Sequence, residues 1–156
     1  MKTKNHKTSY LLELHYKRPL NSEMFKINDS KDVDLCLRDN INLKRIDHKE
    51  FFWMILLTRA NRVLGISEIS SGKTNSTAIN YKEIVQLVAL SNASAVILAH
   101  NHPSGQLKPS SCDLSMTKHM GKILKLIEVT LCDHIIITSE GYYSFSDNFE
   151  ITHPNP

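Results

Sequence analysis

Two histidines separated by one residue, and an aspartate after them, are the residues of this sequence best suited to chemistry. His100 and His102 follow a buried apolar run, and side chains at positions i and i+2 of a strand share one face, with Cα atoms about 6–7 Å apart. Asp113 comes 11 residues after His102, where a short loop can return its carboxylate to the strand end. Two imidazoles, one carboxylate and an open fourth position are typical of a catalytic zinc site. We therefore predict that His100, His102 and Asp113 bind Zn²⁺.

Catalysis at such a site also needs a general base and a hydrogen-bond donor. Zinc lowers the pKa of a bound water towards about 7, and a carboxylate that does not bind the metal can then accept the proton. Glu50, before the first apolar strand, and Glu68, near the end of the second, are the two candidates. Ser110 lies between the ligands in sequence, and its hydroxyl could donate to the oxyanion that forms when water attacks a carbonyl.

Each of these residues also has a purely structural interpretation. The two histidines could be solvated polar residues beside a loop. Ser110 and Asp113 have the spacing of a capping box, in which both side chains bond the backbone at the start of a helix. This cap is compatible with metal binding, because it would also fix the position of the carboxylate. His134, in an apolar strand, is interpreted as a core histidine that could support a ligand from behind.

The site must be positioned by a strand that ends before His100 and by a helix that contains Asp113. Residues 93–99 form an apolar run typical of a buried strand, and the Pro and Gly that follow predict a loop over 100–105. Apolar residues at helical spacing, including Leu114 and Ile127, predict a buried stripe on a helix over about 111–127. The same patterns predict strands at 51–58, 63–70, 131–138 and 142–145, and a helix at 81–91.

The first 48 residues are predicted to form an arm and a helix. Weak alternation over 9–16 indicates a strand or extended arm that ends before Pro19, and Ser30 is the predicted N-cap of a helix over 30–38. Residues 71–76 are predicted to be a loop, and 152–156 a frayed tail. The exposed arm could pair with the sheet edge of another subunit.

The composition indicates one ordinary globular domain. The chain has 156 residues, of which 41% are hydrophobic and 22% charged, so intrinsic disorder, collagen and coiled coil are excluded. Its three cysteines form no CxxC pair, which argues against a disulfide framework, a cysteine-based zinc ribbon and a cytidine-deaminase metal site. No apolar run approaches the length of a membrane span and no secretory signal is evident. We expect a cytoplasmic protein.

The charge distribution gives little support for nucleic-acid binding. The net charge is +3, and the basic excess lies in residues 1–49, with 11 Lys and Arg against 7 Asp and Glu, whereas residues 50–156 carry 8 against 9. A nucleic-acid-binding domain usually carries a strong basic patch. The part of the chain with the candidate site lacks this excess.

The candidate site residues together form a motif that resembles a known signature. The motif HNHPSG at 100–105, followed by Ser110 and Asp113, reads as H-x-H-P-x(6)-S-x-x-D, which resembles the signature of JAMM (MPN-positive) metalloproteases. It is similar in particular to the RadC family of bacterial JAB-domain proteins. The likeness extends to the segments 50–53, 58–62, 133–137 and 142–145, so that it covers roughly residues 49–145.

This resemblance implies a zinc-dependent hydrolase that cleaves a peptide or isopeptide bond in an unknown protein or peptide. It implies His100, His102 and Asp113 as ligands and Ser110 as the serine of the motif. Glu50 matches the family's general base, because it precedes a short apolar strand; Glu68 is the second choice.

The resemblance also implies an α/β fold, with a mixed, partly antiparallel sheet flanked by helices, similar in outline to cytidine deaminases. The predicted organisation is an arm and helix over 1–48, a JAB/MPN hydrolase domain over 49–150 and a tail over 151–156.

Two other functions remain open at this stage. Full-length RadC proteins carry an N-terminal helix-hairpin-helix DNA-binding region, whereas this chain resembles the shorter forms associated with mobile elements. A role in DNA repair or mobile-element biology is therefore one alternative. The other is a non-catalytic MPN interaction module. The oligomeric state is not predicted.

Overall fold

The computed structural model describes residues 16–71 and 79–151. The predicted strand over 9–16 lies almost wholly outside this part, as do most of the predicted loop over 71–76 and the tail over 152–156. Between the first helix and the first strand the chain makes a short 3₁₀ turn, Leu43–Arg45. The elements in chain order are α1 (Ser30–Asn40), β1 (Phe51–Leu57), β2 (Val63–Ser71), α2 (Tyr81–Ser91), β3 (Ala95–Asn101), α3 (Ser111–Leu126), β4 (Thr130–Ile137) and β5 (Tyr142–Ser144).

The five strands form one open mixed sheet in the order β2-β1-β3-β4-β5. β1 is antiparallel to both β2 and β3, β3 is parallel to β4, and β4 is antiparallel to β5. Every residue of β1 and β3 is buried, which explains why these strands read as continuous apolar runs. The predicted α/β class with a mixed, partly antiparallel sheet is confirmed.

Helices cover both faces of the sheet. α2 and α3 pack on one face through side chains such as Ile84, Met116 and Met120, and α1 packs on the other through Val33 and Leu37. We call these the α3 face and the α1 face. In the described part of the chain, no helix is long and apolar enough to cross a membrane.

The predicted buried stripe of α3 is wrong at two positions. Leu114 and Ile127 are 37% and 39% exposed, because they lie at the two ends of the helix, Leu114 in its first turn. Ile127 falls just beyond the last helical residue. The residues that α3 does bury are Met116, Thr117, Met120 and Leu124.

The start of α1 differs from the prediction by one residue. Asp29, and not Ser30, is the N-cap, since its backbone is extended and its carboxylate accepts a hydrogen bond of 2.9 Å from Asp32 N. Ser30 is the first helical residue, and its hydroxyl donates to Asp147 Oδ2 over 2.5 Å. Both residue types cap helices well, so the sequence alone did not separate them.

β3 is shifted towards the site relative to the prediction. Ala93 precedes the strand, whereas His100 and Asn101 belong to it. His100 lies opposite Phe52 of β1 on one side and Ile136 of β4 on the other, so pairing on both sides extends the strand up to the loop. Because strand residues alternate in direction, His100 and Asn101 point to opposite faces of the sheet.

Candidate metal centre

The end of β3 and the start of α3 bring His100, His102 and Asp113 together. The two Nε2 atoms are 3.0 Å apart. Asp113 Oδ1 lies 3.4 Å from His100 Nε2, and Asp113 Oδ2 lies 3.7 Å from His102 Nε2. One ligand atom from each residue lies within 4.8 Å of the others, and no further group of this kind occurs among residues 16–71 and 79–151.

These distances fit a divalent metal ion. Two ligand atoms at about 2.0–2.1 Å from a tetrahedral ion are about 3.3–3.4 Å apart, within a few tenths of an ångström of the separations of 3.0, 3.4 and 3.7 Å found here. The group has three members, which leaves one tetrahedral position for water or a substrate, as in catalytic sites. The three side chains could therefore hold a metal ion.

A capping box at the start of α3 orients Asp113. The Ser110 backbone N–H and hydroxyl donate to Asp113 Oδ2 over 2.7 and 2.6 Å, and Asp113 N donates to Ser110 Oγ over 3.2 Å. Oδ2 is thus engaged by the cap, and Oδ1 is the oxygen nearest His100. The structural interpretation of this pair is correct, and it also places the carboxylate beside the histidines.

A backbone carbonyl orients His102. Its Nδ1 lies 2.7 Å from the carbonyl oxygen of Gln106, and a carbonyl can only accept a hydrogen bond. The Nδ1 atom therefore carries a proton. In the neutral imidazole, Nε2 then keeps its lone pair, and this is the atom that faces His100 and Asp113.

His100 is supported from inside the protein. Its side chain is almost fully buried and stacks on Phe52. His100 Nδ1 lies 2.8 Å from His134 Nε2, and His134 Nδ1 lies 2.6 Å from Thr117 Oγ1. The prediction that His134 is a core histidine agrees with its complete burial, but its two ring nitrogens join a candidate ligand to α3.

Burial and charge set the protonation of the cluster. Burial lowers the pKa of His100 to about 4, an effect that Asp113 only partly offsets. Burial also lowers the pKa of His134 well below its ordinary value. The Asp113 carboxylate, 3.7 Å from His102 Nε2, favours the protonated form of His102 and raises its pKa against the effect of burial. Burial alone would raise the pKa of Asp113, but its interaction with His102, with lesser contributions from its other neighbours, holds this pKa well below its usual range. An ionised carboxylate and a neutral His100 are the forms that bind metals.

Glu50 lies beside this cluster, directly before β1. Its negative charge is the smallest of the contributions that change the pKa of His102, and the antiparallel pairing of Phe52 with His100 carries Glu50 towards the end of β3 where His102 lies. The flanking backbone is held by Asn101, whose Oδ1 accepts from Phe51 N over 2.7 Å and whose Nδ2 donates to Lys49 O over 2.8 Å. The residue between the two histidines therefore fixes the segment that carries Glu50.

Glu68 lies on the other side of the sheet. It is opposite Trp53 in the pairing of β1 with β2, and Trp53 packs into the core of the α1 face. Glu68 also makes an ion pair of 3.9 Å with Arg45, whose guanidinium lies over the Phe51 ring of the same face. The structure thus brings Glu50, and not Glu68, towards the histidines.

Asn101 and Thr117 were not among the residues singled out from the sequence. Thr117 lies one helical turn after Asp113, a spacing that puts both on one side of α3, and this was the available signal. Asn101 had none, because its partners lie about 50 residues earlier in the chain.

Comparison with known proteins gives a consistent result. The chain is similar to a UPF0758 protein of Flavobacterium johnsoniae, with 35% identity over 122 residues, 78% of this chain and 52% of the relative. It is also similar to the UPF0758 protein YfjY of Escherichia coli K12, with 35% identity over 112 residues, 71% of this chain and 70% of the relative. The chain spans about half the length of several other curated relatives that it matches. The profile of the RadC-like JAB domain matches residues 27–150, and the chain belongs to this family.

Proposed function

We propose that this protein is a zinc-dependent hydrolase that cleaves a peptide or isopeptide bond. The observation that carries the proposal is the convergence of His100, His102 and Asp113 at spacings that suit a tetrahedral ion, with Glu50 beside them. The JAB/MPN superfamily includes hydrolases, and a single three-ligand site suits an amide better than a phosphodiester, since nucleases often use two metal ions.

The proposed roles of the residues follow from their contacts. When bound, zinc would act as a Lewis acid and make a water acidic near neutral pH. Glu50 accepts a proton from the attacking water and delivers it to the leaving amine, as a general base and then a general acid. Asn101 sets the position of Glu50 through the backbone on both sides of it.

Ser110 has two roles in this proposal. Its hydroxyl proton is directed at Asp113 Oδ2, so its first role is to orient this carboxylate. A donation to the oxyanion requires the hydroxyl to turn away from Asp113. The Ser110 backbone N–H still holds Oδ2 when it does so, and the carboxylate keeps its place.

The first test is the metal content of the purified protein, measured by elemental analysis beside a His102→Ala variant. We expect about one zinc per chain, lost in the variant. An absence of metal in both proteins after zinc is supplied would exclude the hydrolase and favour a non-catalytic interaction module.

The second test is hydrolysis of a panel of peptide and isopeptide substrates. Glu50→Gln should keep the metal and lose activity by about 10²–10⁴-fold, the usual contribution of a positioned base. Glu68→Gln is the matched control, because Glu68 lies on the α1 face, and it should keep wild-type rates. Equal losses in the two variants would contradict the assignment of the base. Salt-sensitive cleavage of DNA without any amide hydrolysis would favour the DNA-linked alternative.

A further inference from the structure

We propose that Thr117 and His134 form a hydrogen-bond relay that holds His100 in the tautomer able to bind a metal ion. This inference rests on the proposed metal centre and assigns a positioning role to two residues that do not belong to the ligand group. The relay runs from the backbone of α3 through β4 to β3, and its direction follows from which atoms can donate.

The first link is fixed by a carbonyl group. Thr117 Oγ1 lies 2.6 Å from the backbone oxygen of Asp113, and this oxygen can only accept. A hydroxyl has one proton, so Thr117 donates it to Asp113. At the 2.6 Å contact between Thr117 Oγ1 and His134 Nδ1, the hydroxyl oxygen must then accept, and His134 carries its proton on Nδ1.

The second link follows from the first. A neutral imidazole has one N–H, so His134 Nε2 is an acceptor when Nδ1 is protonated. His134 Nε2 lies 2.8 Å from His100 Nδ1, which must therefore donate. The proton of His100 is on Nδ1, and the lone pair is on Nε2, the atom 3.4 Å from Asp113 Oδ1. In the opposite tautomer, His100 Nε2 would carry the proton and could not bind a metal.

The relay lies in the interior of the protein. The His134 ring is fully buried, between the Phe52 and Phe145 rings. Thr117 is also buried, on the inner side of α3. Buried polar groups without partners cost free energy, so one of the two atoms at each of these contacts must donate a proton to the other. The hydroxyl of Thr117 therefore determines the orientation of each proton along the relay.

A merely structural role for the pair would give a different result from the proposed one. If Thr117 and His134 only satisfied each other in the core, removal of the hydroxyl would lower stability and leave metal affinity unchanged. If they act as a relay, its removal lets His134 present a proton to His100 Nδ1, and metal affinity falls although every ligand is retained. Loss of such outer partners of a ligand typically costs about 10–100-fold in metal affinity.

The experiment compares zinc affinity, by chelator competition, in the full chain and in the variants Thr117→Val and Thr117→Ser. Thr117→Val keeps the shape of the side chain and should bind zinc about 10–100-fold more weakly. Thr117→Ser restores the hydroxyl and should restore the affinity. Thr130→Val changes an exposed threonine at the start of β4 and should have no effect. Equal affinities in Thr117→Val and the wild type would overturn the relay.

The tautomers can also be read without metal or activity. Nitrogen-15 NMR of the histidine rings in the metal-free wild type should show protonated Nδ1 and unprotonated Nε2 in both His100 and His134. A protonated Nε2 in either ring would refute the relay, even if Thr117→Val failed to fold. If the wild type binds no zinc but shows the expected tautomers, the relay stands and the proposed hydrolase fails.

Discussion

Asn101 lies between two candidate ligands in the sequence, but its side chain forms hydrogen bonds on the opposite face of the sheet. His100 points to the α3 face, and Asn101 points to the α1 face, where its amide also donates to Ile46 O over 2.5 Å. The side chain is fully buried and makes three hydrogen bonds to backbone groups. Since strand residues alternate in direction, the same strand end can hold both a metal ligand and the backbone beside the proposed base.

We predict that Asn101→Leu lowers the free energy of unfolding by about 2–4 kcal/mol. Leucine has a similar size, but it leaves one buried N–H and two carbonyl groups without their partner, and each such group costs about 1–3 kcal/mol before partial relaxation. Chemical denaturation measures the change. Asn40→Leu, at an exposed position at the end of α1, is the control and should change stability much less. Similar losses in both variants would show that the three hydrogen bonds contribute little.

At the residue scale, the sequence predicted the members of the site that are close in the chain. The separation of two between His100 and His102, and the helix start near Asp113, are local patterns with a direct geometric meaning. The contacts of Asn101 and His134 could not be predicted, because their partners lie 17–55 residues away in the chain and depend on the order and register of the strands.

The start of α3 combines a helix cap with a candidate ligand. Asp113 lies in the first turn, where a negative charge is favourable, and the cap directs its second oxygen towards the histidines. The position of the helix and the position of the carboxylate are therefore set by the same hydrogen bonds. A change in the cap should affect stability and metal binding together.

We predict that Ser110→Ala lowers the free energy of unfolding by about 1 kcal/mol, the usual effect of removing an N-cap side chain, and also weakens zinc binding. Ser110→Thr keeps a capping hydroxyl and should preserve most of both properties. Ser111→Ala, one position further and exposed, is the matched control. Denaturation and zinc titration of the three variants provide the measurements. If Ser110→Ala changed neither property, Ser110 would contribute only to the oxyanion.

At the element scale, most of the fold could be predicted. The apolar run of β1 and the periodicity of α2 identify these elements, and the boundaries of α2 agree with the prediction. The errors have physical causes. Two good capping residues, Asp29 and Ser30, stand next to each other, and β3 continues to Asn101 because strands pair on both of its sides. A local sequence pattern cannot decide between two equally good capping residues, and it does not reveal which strands will pair.

The whole molecule couples metal binding to folding, because the ligands come from separate elements. His100 belongs to β3 and Asp113 to α3, so the unfolded chain does not present a formed site. Binding to the folded state alone raises stability by mass action.

We predict that saturating zinc raises the melting temperature of the metal-free protein by about 5–10 °C at a zinc concentration of 100 times Kd, which corresponds to about 2.7 kcal/mol. Calorimetry with zinc and after removal of zinc by a chelator measures the shift. The His102→Ala variant should show a much smaller shift. A shift of the same size in this variant would place the stabilising ion elsewhere.

Asp113 lies at both ends of the hydrogen-bond relay that runs from α3 to His100. Its backbone oxygen accepts from Thr117, and its carboxylate faces His100 Nε2. The hydrogen bonds from Asp113 through Thr117 and His134 to His100 form a chain that joins α3, β4 and β3. An ion bound by both His100 and the Asp113 carboxylate would connect the two ends of this chain and close it into a ring. The closed ring would hold the first turn of α3 against the sheet. This turn should therefore loosen when the ion is released. Chelation should then expose the amides of the first turn of α3 to hydrogen exchange while the central strands remain protected.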